Sequence, residues 1–528
     1  YYIKMETAEG YEAMKNRIGR LKLRPGFWVA RLLIAFAALS ATWFAVAAEP
    51  PRAIRVMTGT FPDAWGNPYS QSSVTFLSIW SAMFDPLVLL QTDGVLKPWL
   101  ATAWEQTAPR MWRFDLREDV LFSNGEPFTA ESVKVGIDYL ISPQGRGEPV
   151  ARDLSEIESA TVLGPHAIEI KVKDPDPLLP RKLSMFRVVA PQRWRELGPA
   201  GFGKDPAGTG PYRMAVNRAT EATLDAVPTS WRRAPIARLE VLKTRDAATR
   251  RAALLSHRAD LAVGGAIGID DIAEVEAAGF KMFVDHVPAV VAMVFNTVRD
   301  SPFRDIRVRE AVSLAVDRPA IVEAFLGDYS SIASQPSRRA AFGHNAGVAP
   351  LPYDPERARA LLAEAGYPDG FTFETEIPGG TVIYVNVFQK VAEDLARVGV
   401  TMVLQSIPPQ VFLSNIQTGE WRGAAMAIPF YSPVNDALYP MRQHSCLWPA
   451  PWYCDPVAAD MFLDASREPD LDTRRVKTEA IMARAADQRQ AMFMYETIQF
   501  GAYADWMTGF KSDLGFIHYE DIEARAPD

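Results

Sequence analysis

Residues 353–371, YDPERARALLAEAGYPDGF, have the spacing of polar and apolar positions that is typical of an amphipathic helix. Their apolar side chains recur three or four positions apart, which places them on one helical face. These side chains are Ala358, Leu361, Leu362 and Ala365. We expect a surface helix that packs this face inward against a larger α/β body.

The residues at both ends of this helix are also typical of helix termini. Asp354 can accept hydrogen bonds from the free amides at the start, and Pro355 suits the first helical position. Gly366 can leave the helix in the left-handed conformation. The sequence therefore predicts both the beginning and the end of the helix.

Strand and helix patterns alternate through the chain that follows residue 52. The strand patterns cover residues 53–58, 96–104, 112–116 and 167–172, of which the middle two suggest a pair. Residues 74–90 have the spacing of a buried helix, and residues 130–141 predict a helix capped by Thr129. The segment GTGPYRM at 208–214 predicts a turn with close backbone approach before another strand. This alternation indicates an α/β protein.

Length and composition limit the class of protein. A chain of 528 residues with 48% hydrophobic content can bury a large core, and at about 100–200 residues per domain it should hold about two to four domains. The formal net charge is −8, so the chain lacks the basic character of a nucleic-acid binder. It contains no nucleophile elbow, HExxH pair, phosphate loop or dinucleotide fingerprint. We therefore expect that it is not an enzyme.

The first 48 residues have the pattern of a secretory signal peptide with its leader. Basic residues precede an apolar run over 32–47, and Ala-Val-Ala at 45–47 offers small residues at the cleavage spacing. We expect export and cleavage near Ala47 or Ala48. The apolar run is shorter than the roughly 20 residues that span a bilayer, and a retained membrane anchor is the alternative.

Two cysteines, Cys446 and Cys454, lie eight positions apart in HSCLWPAPWYCDP. The prolines between them favour a turn that can bring the thiols together, and in an oxidising compartment we expect a disulfide. Two alternatives stay open. One is a metal site that uses His444 with both cysteines, and the other is a pair of unbonded buried thiols.

Five sequence blocks along the chain carry more information together than each does alone. They are LKPWLATAWE at 96–105, WRFDLREDVLFSNGEPFTAESV at 112–133, GTGPYRM at 208–214, FNTVRDSPFRDIRVREAVSLAVDR at 295–318 and the helix at 353–371. In this order they resemble the conserved blocks of the peptide and nickel family of periplasmic solute-binding proteins, extracellular solute-binding protein family 5. Members of that family are receptors of ABC importers.

The resemblance implies an α/β fold with two lobes that close like a clamshell, similar to the type II periplasmic binding proteins, with an extra subdomain inserted in the first lobe. We expect lobe one to comprise residues 53–84, 205–296 and 502–528, the extra subdomain residues 85–204, and lobe two residues 297–501. The hinge is expected near residues 295–297 and near Tyr503. The cleft between the lobes is where a solute would be held.

The function that the resemblance implies is reception of an oligopeptide or peptide-like solute. A monomeric periplasmic receptor, without a cofactor, would deliver this solute to an ABC permease and its ATPase in the inner membrane. The alternatives are a non-peptide solute such as an oligosaccharide, an opine or a metal chelate. An exported enzyme or a chaperone-like peptide binder on the same fold is a further alternative.

Asp436 is the candidate partner for a peptide's amine. Peptide-binding family members use an aspartate for the α-amine, in a stretch that also carries a tryptophan. The corresponding segment here, residues 425–443, lacks the tryptophan and has Asp436 as its only acid. We expect Asp436 to bind the ammonium group if the solute is a peptide, because a buried amine needs an anionic partner. The alternative is a turn or capping aspartate.

The other candidate ligands are basic, polar and aromatic. Arg338 and Arg339 lie in a loop that borders the cleft in the family, and either guanidinium can bind a carboxylate through two hydrogen bonds. Gln335 is a neutral polar candidate in the same loop. Flat aromatic surfaces can accommodate side chains, sugar rings or a planar group. The aromatic candidates are Phe430, Tyr431, Trp448 and Trp452.

Overall fold

A mixed sheet of eleven strands organises the part of the chain that the computed structural model describes, which is residues 53–59, 65–71, 76–379 and 382–525. The strands in this part are β1 (Ala53–Thr58), β2 (Val88–Leu90), β3 (Leu96–Pro98), β4 (Ala101–Ala108), β5 (Met111–Leu116), β6 (Ile157–Gly164), β7 (Ala167–Val172), β8 (Tyr212–Asn217), β9 (Glu221–Ala226), β10 (Arg238–Lys243), β11 (Leu261–Ile267), β12 (Phe280–Phe295), β13 (Thr372–Pro378), β14 (Thr401–Ile407), β15 (Ala425–Ala427), β16 (Phe430–Tyr431), β17 (Ala491–Ala504), β18 (Met507–Thr508), β19 (Ser512–Asp513), β20 (Phe516–Ile517) and β21 (Glu523–Ala524). The expected signal peptide and leader, residues 1–48, lie outside the described residues.

Helices accompany these strands in alternation, as the sequence pattern predicts. In the same part of the chain they are α1 (Leu77–Trp80), α2 (Ala130–Ile141), α3 (Pro149–Asp153), α4 (Leu179–Lys182), α5 (Pro191–Phe202), α6 (Ala247–Leu255), α7 (Ile272–Ala277), α8 (Ile306–Leu314), α9 (Arg318–Leu326), α10 (Pro355–Glu364), α11 (Val382–Ala396), α12 (Pro409–Thr418), α13 (Pro456–Arg467) and α14 (Leu471–Asp487). Among the described residues, none of these helices is both long and apolar enough to cross a membrane.

The large sheet has two halves that share a central pair of long strands. Its order is β14-β13-β15-β12-β17-β11-β1-β10-β9-β8, with β16 paired to β12. The antiparallel pair β12 and β17 forms a ribbon at the centre. β11 pairs with β17 at Ala502, whereas β15 pairs with β12 at Phe295, which is the opposite end of the ribbon. The pairing inside the ribbon is irregular between His286 and Val290. Two halves joined by one ribbon are the arrangement expected of a two-lobed α/β fold.

Residues 85–204 contain a second sheet, in the order β4-β5-β7-β6. Strand β7 alternates as predicted, because Ile168, Ile170 and Val172 are buried and the residues between them are not. Helix α2 covers this sheet with its own apolar face, which includes the fully buried Ile137. The predicted start of α2 is confirmed, since the Thr129 backbone amide donates to the Ser132 hydroxyl at 3.2 Å.

The helix predicted within 353–371 is confirmed as α10. The Asp354 carboxylate accepts a hydrogen bond from the Arg357 backbone amide at 2.9 Å, as an N-cap should. Leu361 and Leu362 are buried on the inner face. Gly366 has a φ of +93°, a conformation that favours glycine.

The prediction of one buried helix over 74–90 is wrong. Only Leu77–Trp80 is an α-helix in the described residues of this stretch, and β2 follows it. The carbonyls of Ala82 and Met83, which a longer helix would use internally, accept hydrogen bonds from Tyr212 and Gly210 at 2.8 and 2.9 Å. Pro86, which has no N–H to offer the Ala82 carbonyl, also excludes a regular helix through this stretch.

Candidate functional site

The 425–443 segment contacts residues 85–204. It begins with β15, continues through β16 beside β12, and then leaves the sheet. Beyond the sheet, the Tyr439 hydroxyl donates a hydrogen bond to the carboxylate of Asp153 on α3. Arg181 on α4 donates to the carbonyl of Gly94 at 2.8 Å, and Gly94 packs closely against Ala340. Tyr439 of this segment and the backbone at Ala340 therefore contact residues 85–204.

Asp436 is buried, with 3% of its surface exposed, and it already has protein partners. Its carboxylate accepts a hydrogen bond from the Leu438 backbone amide at 3.1 Å, which is a capping contact. The other carboxylate oxygen lies 3.5 Å from Nη2 of Arg474 on α14. The sequence prediction that Asp436 binds an amine is not tested by these contacts and stays a prediction.

Arg338 is buried beside the irregular centre of the ribbon. Its exposed fraction is 5%, and its Nε lies 3.4 Å from the Glu496 carboxylate on β17. Its Nη1 makes no hydrogen bond within the described residues. Burial lowers the pKa of Arg338, and Glu496 acts in the opposite direction. The neighbouring Arg339 is exposed, and its backbone amide donates to Glu496 at 3.0 Å.

A second buried arginine, Arg187, approaches the same segment from the subdomain. It is 1% exposed, its Nη1 donates to the Met185 carbonyl at 2.6 Å, and its Nε has no hydrogen-bond partner in the described part of the chain. Burial lowers the pKa of Arg187 to about 10, opposed by the nearby Tyr431 and Asp85. Tyr431 pairs with Ala289 of β12, next to the position that pairs with Glu496. Arg187 and Arg338 thus border one region.

His286 belongs to this region and is uncharged at neutral pH. It lies on β12 where the regular pairing with β17 is interrupted. Burial, with Arg338 adding to it, lowers the pKa of His286. The region therefore presents two buried guanidinium groups, one of which lies beside the Glu496 carboxylate.

Gln335 and His344 stabilise the loop that carries Arg338. The Gln335 amide nitrogen donates to the Asn345 carbonyl at 2.8 Å, and its oxygen accepts from the Asn345 amide at 2.9 Å. The Ser337 hydroxyl lies 3.1 Å from Nδ1 of His344. Gln335 is completely buried in these contacts. They hold the backbone that positions Arg338, and the proposed contact between Gln335 and a solute stays a prediction.

Three of the four aromatic candidates pack against His444 or Ile416. Phe430 and Trp452 are each 1% exposed and both contact His444, on its face and at its edge. Trp448 is half-buried, and its indole donates to the Ile416 carbonyl at 3.0 Å. Tyr431 is the candidate that lies close to a buried arginine. Solute contacts by the other three are untested.

Cys446 and Cys454 form a disulfide with a Cα–Cα distance of 4.4 Å, which confirms the predicted bond. Bonded cysteines are not available as thiolate ligands, so the alternatives of a His444 metal site and of free thiols are wrong. Burial lowers the pKa of His444 to about 3, so its ring is neutral. Within the described ranges, no group of three or more His, Cys, Asp and Glu residues could hold a metal ion.

Several residues of the site were missed by sequence reasoning. The strongest are Arg187, Arg474 and Glu496. Two of them carried a signal, because Arg187 interrupts the apolar run MFRVVA and Glu496 interrupts the buried strand MFMYETIQF. A charge inside an apolar run is either paired or functional. Arg474, by contrast, lies on a helix that is rich in charge and gave no such signal.

Comparison with known proteins places this geometry among binding proteins. A family described as bacterial extracellular solute-binding proteins, family 5 middle, matches residues 95–446. The chain is 25% identical over 486 residues to the nickel-binding periplasmic protein of Escherichia coli K12, covering 85% of this chain and 88% of that protein. NikA from Brucella suis, solved with Fe(III)-EDTA, is similar in structure with a TM-score of 0.77 and 21% identity, covering 90% of this chain and 100% of that one.

A structure with a different ligand is similar as well. The periplasmic binding protein DppA from Helicobacter pylori, solved with the peptide STSA, gives a TM-score of 0.74 at 17% identity, covering 89% of this chain and 98% of that one. Structures this similar over almost their whole length share the fold, which confirms the expected two-lobed α/β class.

Proposed function

We propose a function from the premise that this chain belongs to family 5 of the bacterial extracellular solute-binding proteins. It is an extracytoplasmic receptor that traps one solute between two lobes and delivers it to an ABC permease and its ATPase. Members of this family are solute-binding receptors rather than enzymes. The similarity to a periplasmic relative along 85% of this chain supports a periplasmic location. Export by a signal peptide in residues 1–48 and a monomeric state belong to the same proposal.

The solute in our proposal carries a carboxylate or a similar anionic group. The observation behind this is that Arg187 and Arg338 are buried and each has a guanidinium N–H without an acceptor among the described residues. Leaving a buried donor unsatisfied costs about 1–3 kcal/mol, and more when the donor is charged. An anionic solute would supply the missing acceptors with charge-assisted hydrogen bonds.

The relatives support this choice of chemistry without identifying the solute. The ligands named for these relatives are the peptide STSA, Fe(III)-EDTA and nickel. A peptide with a free C-terminus and an EDTA chelate both carry carboxylates. An oligopeptide therefore stays a candidate, and so does a carboxylate-rich metal chelate. The geometry favours neither, because both would meet the same arginines.

The proposed lobes follow the two halves of the large sheet. Lobe one comprises residues 53–84, 205–296 and 502–528, the subdomain residues 85–204, and lobe two residues 297–501. The lobe boundaries fall near Phe295 and Tyr503, at the two ends of the ribbon, and the ribbon between them is the proposed hinge. The interrupted pairing between His286 and Val290 supports this position, because the lost ladder hydrogen bonds make it the easiest place to bend.

The test is to identify the retained solute and then remove the arginines. Native mass spectrometry of mature protein, purified without denaturation, should show a single small acid in one-to-one stoichiometry. In calorimetry with solute-free protein, Arg338→Met or Arg187→Met should weaken binding by about 30-fold or more, since removing one partner of a buried charge pair costs about 2–5 kcal/mol.

Controls separate recognition from folding. Arg359→Met removes an exposed arginine on α10 and should leave the affinity within twofold. Arg338→Lys keeps the charge but not the fork of donors, so it should bind more weakly than wild type and more tightly than Arg338→Met. The proposal is wrong if folded Arg338→Met and Arg187→Met proteins bind the solute as well as wild type does.

A further inference from the structure

We infer that Arg474 determines the charge preference of the site, because it occupies the Asp436 carboxylate that a solute's ammonium group would otherwise use. The inference rests on the proposed function, since it concerns the solute bound along the same interface. It predicts a receptor that discriminates against solutes with a free amine beside Asp436.

Arg474 is fixed in position by the end of the preceding helix. Its Nη1 donates to the carbonyls of Ala465 and Ser466 on α13, at 2.8 and 3.1 Å. Its Nη2 then lies 3.5 Å from Oδ2 of Asp436, and the two side chains are only 5% and 4% exposed. A planar guanidinium held at one edge by two carbonyls has little freedom to turn away. Arg474 therefore stays beside Asp436 whether or not a solute is present.

Asp436 and Asp176 each already have a cationic partner. Asp436 also faces Arg181, whose pKa is lowered by burial and raised in part by that carboxylate. Asp176, the other acid of the group, binds Lys182 at 2.5 Å. Although burial acts to raise it, Lys182 and Arg474 hold the pKa of Asp176 below its usual value. Among these five residues, three cations face two carboxylates.

An ammonium group placed at Asp436 would stand next to the Arg474 guanidinium. Like charges at contact distance repel strongly where water is excluded, and such juxtaposition is a common device for rejecting the wrong ligand. A neutral group at the same place meets no such repulsion. Arg474 is therefore a specificity-determining residue that acts through Asp436, on a different group of the solute from the one bound by Arg187 and Arg338.

The test uses trialanine and N-acetyl-trialanine, which differ in the charged amine and share the C-terminal carboxylate. Wild-type protein, freed of solute, should bind the acetylated peptide at least as tightly as the free one in calorimetry or native mass spectrometry. In Arg474→Gln the ratio of the affinity for free trialanine to the affinity for N-acetyl-trialanine should rise about tenfold or more, because Asp436 becomes available to the amine.

Two matched variants separate this effect from a loss of structure. Arg474→Lys keeps a cation beside Asp436, so its ratio should stay near that of wild type. The double variant Arg474→Gln with Asp436→Asn has no free carboxylate to offer, so the gain should disappear. Circular dichroism and thermal melting establish that each variant is folded. If Arg474→Gln does not fold, the wild-type ratio alone decides the inference.

Every outcome of this experiment supports or overturns the inference. Tighter wild-type binding of free trialanine than of N-acetyl-trialanine overturns it, and so does a folded Arg474→Gln protein with an unchanged ratio. If wild type binds neither peptide, the inference requires Arg474→Gln to gain binding of free trialanine over the acetylated form, and no gain overturns it. Failure of the proposed function would be seen in a different experiment, in which the Arg187→Met and Arg338→Met proteins bind the retained solute as tightly as wild type does.

Discussion

Replacing Asp153 by asparagine should change how the stability of the protein depends on pH. Asp153 is 5% exposed and accepts a hydrogen bond from Tyr439 across the interface with the 425–443 segment. Burial raises the pKa of Asp153 to about 6, even though Tyr439, Arg152 and Lys182 act to lower it. Since an unfolded aspartate titrates near 3.9, the folded state binds the proton more tightly than the unfolded state does.

The direction follows from this difference in proton binding. Between about pH 4 and pH 6 the folded protein holds a proton on Asp153 that the unfolded chain has lost, so the free energy of unfolding falls as the pH rises. Integrated from pH 4.5 to pH 7.5, a pKa of about 6 against 3.8 corresponds to about 2 kcal/mol. Asp153→Asn has no such titration. The free energy of unfolding of Asp153→Asn minus that of wild type should therefore be about 2 kcal/mol larger at pH 7.5 than at pH 4.5.

The assay is urea unfolding of solute-free wild type and variant at both pH values, followed by tryptophan fluorescence and by circular dichroism. The variant-minus-wild-type difference in the free energy of unfolding is compared between pH 4.5 and pH 7.5. In this comparison the contributions of the other titrating groups and any constant effect of the asparagine cancel. Asp138→Asn, an exposed carboxylate on α2 of the same subdomain, should show less than about 0.5 kcal/mol of such pH dependence. The reasoning would be refuted if wild type and Asp153→Asn differed in free energy of unfolding by the same amount at pH 4.5 and at pH 7.5.

Two further predictions concern stability. Replacing both Cys446 and Cys454 by serine should lower the free energy of unfolding by about 2–3 kcal/mol, since a short loop is no longer closed in the unfolded chain; an unchanged urea midpoint would contradict this. Gly208→Ala should destabilise the protein by more than about 2 kcal/mol, because its Cβ would lie 2.0 Å from the Met83 carbonyl oxygen. Gly147→Ala, with nothing within 4 Å of the added carbon, is the matched control and should melt close to wild type.

Features decided by neighbouring residues were predictable from the sequence. Helix α10 begins after Asp354 and its chain turns at Gly366, as the caps indicate. The disulfide closes a loop whose prolines already favour a turn. In these cases the interactions that determine the structure lie within about ten residues, so the local pattern carries the information.

Features decided by contacts distant in sequence were not predictable in this way. Within the stretch where a helix was expected, 74–90, the carbonyls of Met83 and Ala82 bond to Gly210 and Tyr212, more than a hundred positions away. Asp436 was predicted from its segment alone, but its neighbour Arg474 comes from α14. Arg187 approaches Tyr431 from a part of the chain more than two hundred positions away. The charges near Asp436 and Tyr431 are therefore brought together by the tertiary structure, and the sequence alone could not predict how many cations and carboxylates meet there.

The most direct test of a receptor for an anionic solute is to neutralise the solute itself. The small molecule identified by native mass spectrometry is titrated by calorimetry into solute-free wild-type protein, alongside its carboxyl methyl ester or amide. The account predicts saturable one-to-one binding of the acid and at least about 30-fold weaker binding of the neutral analogue, because two buried arginines lose their acceptor. Equal affinity for the acid and its neutral analogue would contradict it.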